Sequence, residues 1–513
     1  MNQFSAQMDQ GFDIERERYF VDISGTLEHS KQNDFLTGIQ RVVVTVVAQL
    51  AARLAPDQLY LSWCDKSTRS YKCVPYASVA QGAGILTAPA LRSYFFQELS
   101  AKGPEALLRK YKDRPLKKKW HTMRLDLAAH MGRKRPFRRK GTTLESWQEM
   151  RDAEKLVRET PRAGRPFEQV CAPGDHLLQL DLAVQQWQMQ ILAEIGKMDV
   201  VKHLLIYDLI PLHAPQLVSH DTAWSFLAWL DEAVNHVDAF LAISEFSHEK
   251  FRTYLDKTER SGRITTLPLA QDRLPLPDKP QDRVEDRVGR QMTELYPLAK
   301  RLRKIGREET EIFCRPFVIC VGTIEARKNI WRVAMAWKKL VEESEREGRG
   351  ELPTLVFVGS ASHMPQDFQQ FMQGTGGCNG YIRIVSGPSD AFLELLYEHC
   401  LFSIQVSLAE GWGLPVGESL AYRRTALVGR GSSLPEVGGD LVEYCDPEEI
   451  DSIADAARRL LDADHRAALE ARISQAKLRS WGDVADDLLR IVQIDKTWIA
   501  QRRPEQQLEN QDT

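Results

Sequence analysis

Two glutamates flank a glycine-rich turn in the segment SLAEGWGLPVGESLA, Ser407 to Ala421. Glu410 precedes the turn and Glu418 follows it, and the apolar stretch FSIQVS just before predicts a strand that ends there. Ligands bind beyond the carboxyl ends of strands in open parallel sheets, where a carboxylate can accept paired hydrogen bonds from vicinal sugar hydroxyls. Each acid alone also has a plainer interpretation. Glu418 would complement a helix dipole by about 0.3–1 kcal/mol, and Glu410 would be an ordinary loop acid.

The turn between the two acids is made of residues that expose backbone amides. Gly411 and Gly413 permit tight turns, and Pro415 suits the start of a helix. Amides at a helix N-terminus can face an anionic or hydroxylated ligand. We therefore expect Glu418 in the first turn of this helix, on the ligand side.

Two cations stand in a second segment, VGTIEARKNIWRVAMAWKKL, Val321 to Leu340. A buried strand is expected to end at Thr323 and a helix to begin near Asn329, which leaves Arg327 and Lys328 in the connecting loop. Two fixed cations beside a helix N-terminus form a site for a diphosphate. The alternative is a solvated basic loop.

Parallel sheets must position both segments, because each follows an apolar strand and precedes a helix. The first half of the chain opens with a strand, a polar loop, a helix capped by Thr37 and a second strand. The strands predicted there are Arg18–Ser24, Leu59–Trp63, His176–Leu182, His203–Leu212, Ala239–Ser244 and Ile264–Ala270. In the second half they are FVICVGT, PTLVFVG, YIRIVSG, FSIQVS and TALVG, followed by a helix over about Ile450–Leu461.

The composition is that of a globular protein. The 513 residues are 43% hydrophobic and 27% charged, which favours two or three domains, and the formal net charge is -3. That charge is uneven, because Lys102 to Lys140 contains fifteen Lys and Arg against three Asp and Glu. A basic patch of this kind suggests an anionic partner, such as a membrane surface, a phospholipid-like acceptor or nucleic acid. A solvated charged insertion is the plainer interpretation.

The cysteine spacing and the length of the apolar stretches indicate the cellular compartment of the protein. The eight cysteines form no C-x-x-C pair and no zinc spacing, which favours buried thiols in a reducing compartment. The sequence starts without a signal-peptide pattern, and no stretch of eighteen apolar residues occurs. We expect a cytoplasmic protein, either free or peripheral at the inner face of the membrane.

The segments Ser407–Ala421 and Val321–Leu340 resemble the conserved blocks of glycosyltransferase family 4. Members of this family retain the anomeric configuration and have the GT-B fold. The resemblance extends to GRGSSLPEVGGDLVEYCDPEE and RSWGDVADDLLRIV, and more weakly to YDLIPLHAPQ, AISEFS and VDISGTLEHSKQNDFLTGIQRVV. It covers most of the chain apart from about 95–170 and 271–310. The implied fold class is α/β, with two doubly wound Rossmann-like domains facing each other across a cleft.

The expected domain boundaries follow this resemblance. An N-terminal acceptor-side domain spans 18–275 and includes a basic, mostly helical insertion at about 95–170. A linker spans 276–312, a C-terminal nucleotide-sugar domain spans 313–480, and a last helix at 481–500 packs back on the N-terminal domain.

The resemblance also implies roles for individual residues. Glu410 would contact the donor sugar, Arg327 and Lys328 the diphosphate, and Glu418 the nucleotide ribose. The remaining donor-binding positions are Gly411, Trp412, Gly413, Leu414, Gly322 and Gly38, which precedes the first helix near the donor phosphates or the acceptor.

One position departs from the family. Many relatives carry His-Asp where this chain has Tyr207-Asp208, and that histidine contacts the donor sugar. Tyr207 could substitute through its hydroxyl, or His203 or His213 could approach, and we expect Tyr207 and Asp208 to contact the sugar or the acceptor.

The expected activity is transfer of a hexose from GDP-mannose or a UDP-hexose to a glycan or lipid-linked glycan, in surface polysaccharide assembly. No cofactor and no metal are expected, because the Asp462-Ala463-Asp464 triplet lies in a helical, exposed-looking stretch. The alternatives are a non-transferase GT-B enzyme, such as a nucleotide-sugar epimerase or phosphorylase, and a basic nucleic-acid-binding protein. The basic run lacks interleaved aromatics, so we expect no nucleic-acid partner. A Rossmann dehydrogenase is disfavoured because no G-x-G-x-x-G follows a strand.

The basic insertion suggests a second hypothesis. The segment WHTMRLDLAAHMGRKRPFRRKG, Trp120 to Gly141, could lie on an anionic leaflet with Trp120, Met123, Leu127 and Met131 buried in the interface.

Overall fold

The structure is a computed structural model. It describes residues 17–31, 33, 35–65, 68–80, 84–96, 115–138, 143–144, 147–148, 164–181, 186–274, 310–348, 350–361 and 364–509. Most of the expected linker 276–312 and much of the insertion 95–170 lie outside these residues.

The first sheet has eight strands in the order β4-β3-β2-β1-β5-β6-β7-β8. They are β1 Tyr19–Asp22, β2 Leu59–Asp65, β3 Ser70–Pro75, β4 Arg165–Pro166, β5 His176–Gln179, β6 Val201–Ile206, β7 Ala239–Ala242 and β8 Arg263–Thr266. β1 runs parallel to both β2 and β5, with Val21 opposite Leu61 and Leu178. β3 is antiparallel to its neighbours β2 and β4.

All six strands predicted for this half are present, with two corrections to their surroundings. The strand predicted for His203–Leu212 ends at Ile206, and a turn of helix at Ile210–His213 follows it. The sequence prediction also lacked β3 and β4, whose mixed polar and apolar residues give little periodic signal.

The polar loop predicted after β1 is wrong, because residues Ser24–Ser30 form a helix. Its first amides are satisfied by two carboxylates. The Ser24 amide donates to Asp22 at 2.7 Å, and the Thr26 amide donates to Asp181. Such caps favour a helix in a sequence with weak helical periodicity. Gly38 consequently begins the second helix of the described residues, not the first.

The helices of the first half are bounded as follows: α1 Ser24–Ser30, α2 Gly38–Ala51, α3 Tyr76–Ala80, α4 Ala88–Phe96, α5 Pro115–His130, α6 Arg135–Arg138, α7 Gln186–Gly196, α8 Ile210–His213, α9 His220–His236 and α10 Glu245–Lys257. The predicted cap of α2 is present in part: the Thr37 amide donates to the side-chain oxygen of Gln40 at 3.0 Å.

The second sheet has six strands in the order β11-β10-β9-β12-β13-β14, and every pairing in it is parallel. They are β9 Phe317–Val321, β10 Thr354–Val358, β11 Ile382–Val385, β12 Ser403–Gln405, β13 Ala426–Gly429 and β14 Glu443–Cys445. The five predicted strands are confirmed, and β14 was not predicted.

Helices cover both faces of the second sheet. They are α11 Ile330–Glu347, α12 Gln366–Gly374, α13 Gly376–Asn379, α14 Asp390–His399, α15 Leu414–Ala421, α16 Leu434–Gly438, α17 Ile450–Leu461, α18 Ala463–Gln475 and α19 Trp481–Glu509. Val318 belongs to a core cluster with α11 and α17, whereas its neighbour Ile319 packs with α14. Burial on both faces is typical of a doubly wound parallel sheet, so the α/β class with parallel sheets is confirmed.

The chain divides into two compact units, Met1–His203 and Leu204–Thr513. The second unit includes α19, which reaches β8 of the first sheet. Arg263 of β8 forms an ion pair with Asp495, and its guanidinium lies 5.1 Å from the ring centre of Trp498. Within the described part of the chain, no helix has the length and apolar composition needed to cross a bilayer.

Candidate active site

The two sequence segments meet at the point where the second sheet reverses its strand order. The chain leaves β9 outward to β10 and β11, then returns to β12 on the other side of β9. The connections after β9 and β12 therefore run in opposite directions along the sheet, and such a switch point opens a crevice at the carboxyl edge of a parallel sheet. The loop after β9 carries Arg327 and Lys328, and the loop after β12 carries Glu410.

Arg327 and Lys328 both bind Glu410. The Arg327 guanidinium donates to one carboxylate oxygen of Glu410 at 3.0 Å, and the Lys328 ammonium donates to the other. Arg327 also donates to the carbonyl of Ala409 at 2.8 Å, and its own carbonyl accepts from the Leu408 amide at 3.0 Å. Three of the charged residues that the sequence analysis assigns to the site are therefore in direct contact.

The charges in this cluster control the ionisation of Glu410. Burial alone would raise its pKa, but the charges of Lys328 and Arg327, together with hydrogen bonds from Lys328 and Ser407, lower it to about 2. Burial would lower the pKa of Arg327, but the charges of Glu410 and Glu325 outweigh burial and raise it. Glu410 is therefore a fixed anion, and Arg327 a fixed cation, at neutral pH.

Sequence analysis did not identify two further side chains that bind the cluster of Glu410, Arg327 and Lys328. Gln405, buried at the end of β12, donates to Glu410 at 2.9 Å and to the Ser407 hydroxyl at 2.8 Å. Glu325 accepts from Arg327 at 2.8 Å. A glutamine inside the apolar run FSIQVS was the available signal for Gln405, because a buried amide needs polar partners.

The two glycines of the turn are required by space and by backbone conformation. A Cβ on Gly411 would lie 1.9 Å from the carbonyl oxygen of Tyr207, so only glycine fits without a shift of the backbone. Gly413 has φ of +110° and precedes the first residue of α15, Leu414. A side chain there would be strained. Gly322, after β9, has φ of +146° and lies over the Lys328 side chain.

Tyr207 and Asp208 follow β6 and lie next to Gly411. The Asp208 carboxylate accepts from the Ile210 amide at 3.0 Å. Burial raises the pKa of Asp208, while the Ile210 amide and the charge of Arg327 oppose that rise. Asp208 is therefore within the electrostatic influence of the cluster.

Of the two candidate histidines, His213 lies near Asp208. Its charge contributes to lowering the pKa of Asp208, and its ring Nδ1 lies 2.9 Å from the Leu209 carbonyl. His203 is fully buried in β6, and its Nε2 lies 3.3 Å from Nδ1 of His176.

Glu418 occupies a different place in α15 from the predicted one. The helix begins at Leu414, so Glu418 is its fifth residue and lies in the second turn. The difference arises because the helix starts directly after Gly413, before the proline. Glu418 is buried and accepts from the Tyr397 hydroxyl at 2.9 Å. Arg327 and Lys328 thus bind Glu410, whereas the carboxylate of Glu418 is hydrogen-bonded to Tyr397.

The remaining predicted site residues are placed as follows. Trp412 is buried, and its indole N–H donates to the carbonyl of Ala270 at 3.2 Å. Gly38 begins α2 in the first compact unit, and its role at the donor stays a prediction. Asp462 caps α18 by accepting from the His465 amide at 2.8 Å. In the described residues, no three His, Cys, Asp or Glu side chains are grouped so that they could hold a metal ion.

Comparison with known proteins identifies the segment that holds this site. Residues 304–479 match the family model described as glycosyl transferases group 1. The matched segment contains β9 to β14, both cations and both glutamates.

A curated relative is similar over part of the chain. O-antigen chain mannosyltransferase B of Escherichia coli is 26% identical over 254 residues, which cover 49% of this chain and 59% of that protein. The match thus spans about three fifths of the length of that relative.

Solved structures with similar folds have low sequence identity. An α,α-trehalose 6-phosphate synthase from Burkholderia multivorans has a TM-score of 0.45 at 14% identity, covering 66% of this chain and 73% of that one. A structure described as trehalose-6-phosphate from E. coli bound with UDP-2-fluoro glucose has a TM-score of 0.49 at 12% identity, covering 93% and 99%. Sucrose-phosphate synthase from Thermosynechococcus elongatus has a TM-score of 0.44 at 15% identity, covering 69% and 79%.

Proposed function

We propose that this chain is a retaining glycosyltransferase that moves a hexose from a nucleotide-diphosphate sugar to a glycan or lipid-linked glycan acceptor. One observation carries the proposal: two cations converge on a buried glutamate at the switch point of a parallel sheet, within the segment that matches glycosyl transferases group 1. A dianionic or trianionic leaving group needs fixed cations at such a position.

The donor diphosphate binds Arg327 and Lys328 in this proposal. Glu410 pairs with both cations and Glu325 pairs with Arg327, so a diphosphate that displaces Glu410 replaces one anion by another and leaves neither cation unpaired. Once the phosphates bind the cations, Glu410 is available to accept hydrogen bonds from the donor sugar. Glu418 receives the ribose hydroxyls, and amides of the Gly411–Leu414 turn face the phosphates.

Negative charge grows on the diphosphate as the glycosidic bond lengthens, and Arg327 and Lys328 stabilise that charge. The sugar becomes oxocarbenium-like, and the acceptor hydroxyl attacks from the face that the diphosphate leaves. A phosphate oxygen of the leaving group takes the acceptor proton. Retention of configuration follows because the bond that forms and the bond that breaks share one face of the sugar. Glu410 positions the sugar and is not assigned as a covalent nucleophile.

The chemistry of the site favours a metal-independent reaction, because two side-chain cations supply the charge that a divalent ion would otherwise contribute. The Asp462-x-Asp464 pair is a poor candidate for a cation, since Asp462 already caps α18. GDP-mannose and UDP-hexoses are both candidate donors. The similarity to an O-antigen chain mannosyltransferase supports mannose as the transferred sugar and a role in surface polysaccharide assembly.

We also propose membership of glycosyltransferase family 4 and a GT-B arrangement with the domain boundaries given above. The enzyme would work in the cytoplasm, peripheral to the inner face of a membrane, where a lipid-linked acceptor is available.

The decisive experiment measures nucleotide release and donor binding. We expect GDP-mannose or UDP-glucose to bind by calorimetry, and GDP or UDP release to depend on added glycan or lipid-linked glycan acceptor. Arg327→Ala and Lys328→Ala should each lower turnover by at least about a hundredfold. Lys339→Ala, which removes a half-exposed cation of α11, is the matched control and should leave turnover unchanged.

Three outcomes would contradict the proposal. Normal turnover in both site variants would refute the diphosphate assignment. Nucleotide release or sugar conversion without an acceptor would favour an epimerase or a phosphorylase. Binding of nucleic acid in a filter assay, with no donor binding, would favour the nucleic-acid-binding alternative.

A further inference from the structure

Helix α5, Pro115–His130, has two apolar faces with different surroundings. One face is packed: Leu125, Ala128 and Ala129 are buried in a small cluster with Phe137, Leu144 and Trp147. The Trp147 indole N–H donates to Asp126 at 2.9 Å. This packing fixes the rotation of the helix, so the direction of its other face is set.

The other face exposes a continuous apolar stripe. Trp120, Met123, Leu127 and Met131 are 57%, 62%, 58% and 46% exposed. Their spacing of three, four and four residues places them along one side of a helix. They are four of the seven large hydrophobic side chains that are exposed in the described residues, and the other three, Phe35, Trp224 and Trp331, are far apart in sequence. Soluble surfaces rarely gather such side chains without a partner.

The residues around the stripe are cationic. Exposed basic side chains lie at both ends of it, Lys117 and Lys119 at one end and Arg133, Lys134 and Arg135 at the other. Within its length, the Arg124 guanidinium lies 5.5 Å from the ring centre of Trp120. Asp126 is the one acid between Pro115 and His130, and it lies at the packed face through its bond to Trp147. Among the described residues from Pro115 to Arg138, every charged side chain that is exposed beside the apolar stripe is therefore basic.

We propose that this face of α5 docks on the surface of an anionic bilayer. The four apolar side chains enter the headgroup and upper acyl region, and the flanking Lys and Arg side chains bind lipid phosphates. An interfacial helix needs this combination of an apolar face and basic borders. Trp120 suits that depth, because indole combines an apolar ring with a polar N–H. A protein partner of the same stripe would require a matching acidic rim, whereas an anionic leaflet supplies negative charge on every side.

The test is co-sedimentation of the full chain with vesicles of phosphatidylcholine alone and of phosphatidylcholine mixed with phosphatidylglycerol. We expect binding to the mixed vesicles, weakening as salt is added. Met123→Gln with Leu127→Gln removes the centre of the stripe and should weaken binding by about tenfold or more. Lys117→Gln with Lys119→Gln should weaken it by about 25-fold, because each cation near the surface contributes about a fivefold factor.

The controls separate a lost surface from a lost fold. Trp224→Gln removes an equally exposed apolar side chain from α9 and should leave vesicle binding unchanged. Circular dichroism and the unfolding midpoint of every variant should match those of the parent chain. These readouts do not involve sugar transfer, so failure of this proposal and failure of the proposed function are distinguishable.

Several results would overturn the proposal. Equal binding to neutral and anionic vesicles would remove the role of charge. Binding that persists in the Met123 and Leu127 double variant would remove the role of the stripe. A chain that binds neither vesicle, but whose stripe is protected by a protein partner in solution, would assign this face to that partner.

Discussion

Replacing Glu410 by glutamine tests whether the cation cluster depends on a buried anion. Glutamine keeps the size and the hydrogen-bonding oxygen but removes the charge that faces Arg327 and Lys328. The pKa of Glu410 lies at about 2 instead of 4.5. At about 1.4 kcal/mol per pH unit, this difference corresponds to about 3 kcal/mol of stability at neutral pH. Losing one partner of a buried ion pair typically costs a similar amount, about 3–5 kcal/mol.

The direction of the pH dependence follows from the lowered pKa. A carboxyl that is more acidic in the folded chain stabilises the fold fully above pH 4.5, and this contribution disappears as the pH falls towards 2. The stability difference between the parent chain and Glu410→Gln should therefore be largest near neutrality and shrink in acid. Asp208 has a raised pKa, so its contribution has the opposite sign and fades as the pH rises. The charge of Glu410 is a lesser cause of that raised pKa, so Glu410→Gln also reduces the Asp208 contribution, and the measured difference includes this smaller coupled effect.

Equilibrium urea unfolding of the full chain at about pH 7 and about pH 3 measures this difference. Glu325→Gln is the matched control, because Glu325 also pairs with Arg327 but its side chain is 27% exposed. Its loss should cost no more than about 1 kcal/mol. The reasoning fails if Glu410→Gln costs no more than this control, or if its cost is as large at about pH 3 as at about pH 7.

Three further substitutions test neighbouring parts of the site. Gln405→Leu removes a buried donor to Glu410 and should cost about 1.5–3 kcal/mol by urea unfolding, and an unchanged midpoint would show that the amide does not support the carboxylate. Gly411→Ala should cost about 3 kcal/mol or more, because its Cβ would lie 1.9 Å from a carbonyl oxygen, whereas Gly431→Ala, with open space around it, should be near neutral. Equal losses of stability in the Gly411→Ala and Gly431→Ala variants would contradict the close approach of Gly411 to the Tyr207 carbonyl. Tyr397→Phe removes the hydroxyl that binds Glu418 and should cost about 1–3 kcal/mol in thermal unfolding, and a neutral result would place that carboxylate in water.

Much of the second sheet could be predicted because its strands are short apolar runs that end at glycines or small polar residues. Once strands and helices alternate, a parallel sheet follows, and its carboxyl edge collects the loops that carry Arg327, Lys328 and Glu410. The convergence of these residues was thus accessible from local sequence together with one topological rule.

The features that sequence analysis missed depend on tertiary contacts or on the exact residue at which an element begins. Helix α1 is stabilised by Asp181, 155 residues from the amide of Thr26 that it binds. The position of Glu418 follows from the exact residue at which α15 begins, and element boundaries are poorly determined by periodicity. The apolar run around Gln405 indicates that its amide needs a polar partner, but only the structure identifies that partner as Glu410.

The hydrogen bonds of Arg327 have a consequence for the entropy of anion binding at this site. Its guanidinium is bonded to the Ala409 carbonyl and to two carboxylates, and its carbonyl is bonded to the Leu408 amide. The side chain has therefore lost its rotational freedom during folding, before any anion binds. A lysine in its place would carry the same charge on a more flexible side chain, and the entropy lost in immobilising that side chain would weaken anion binding.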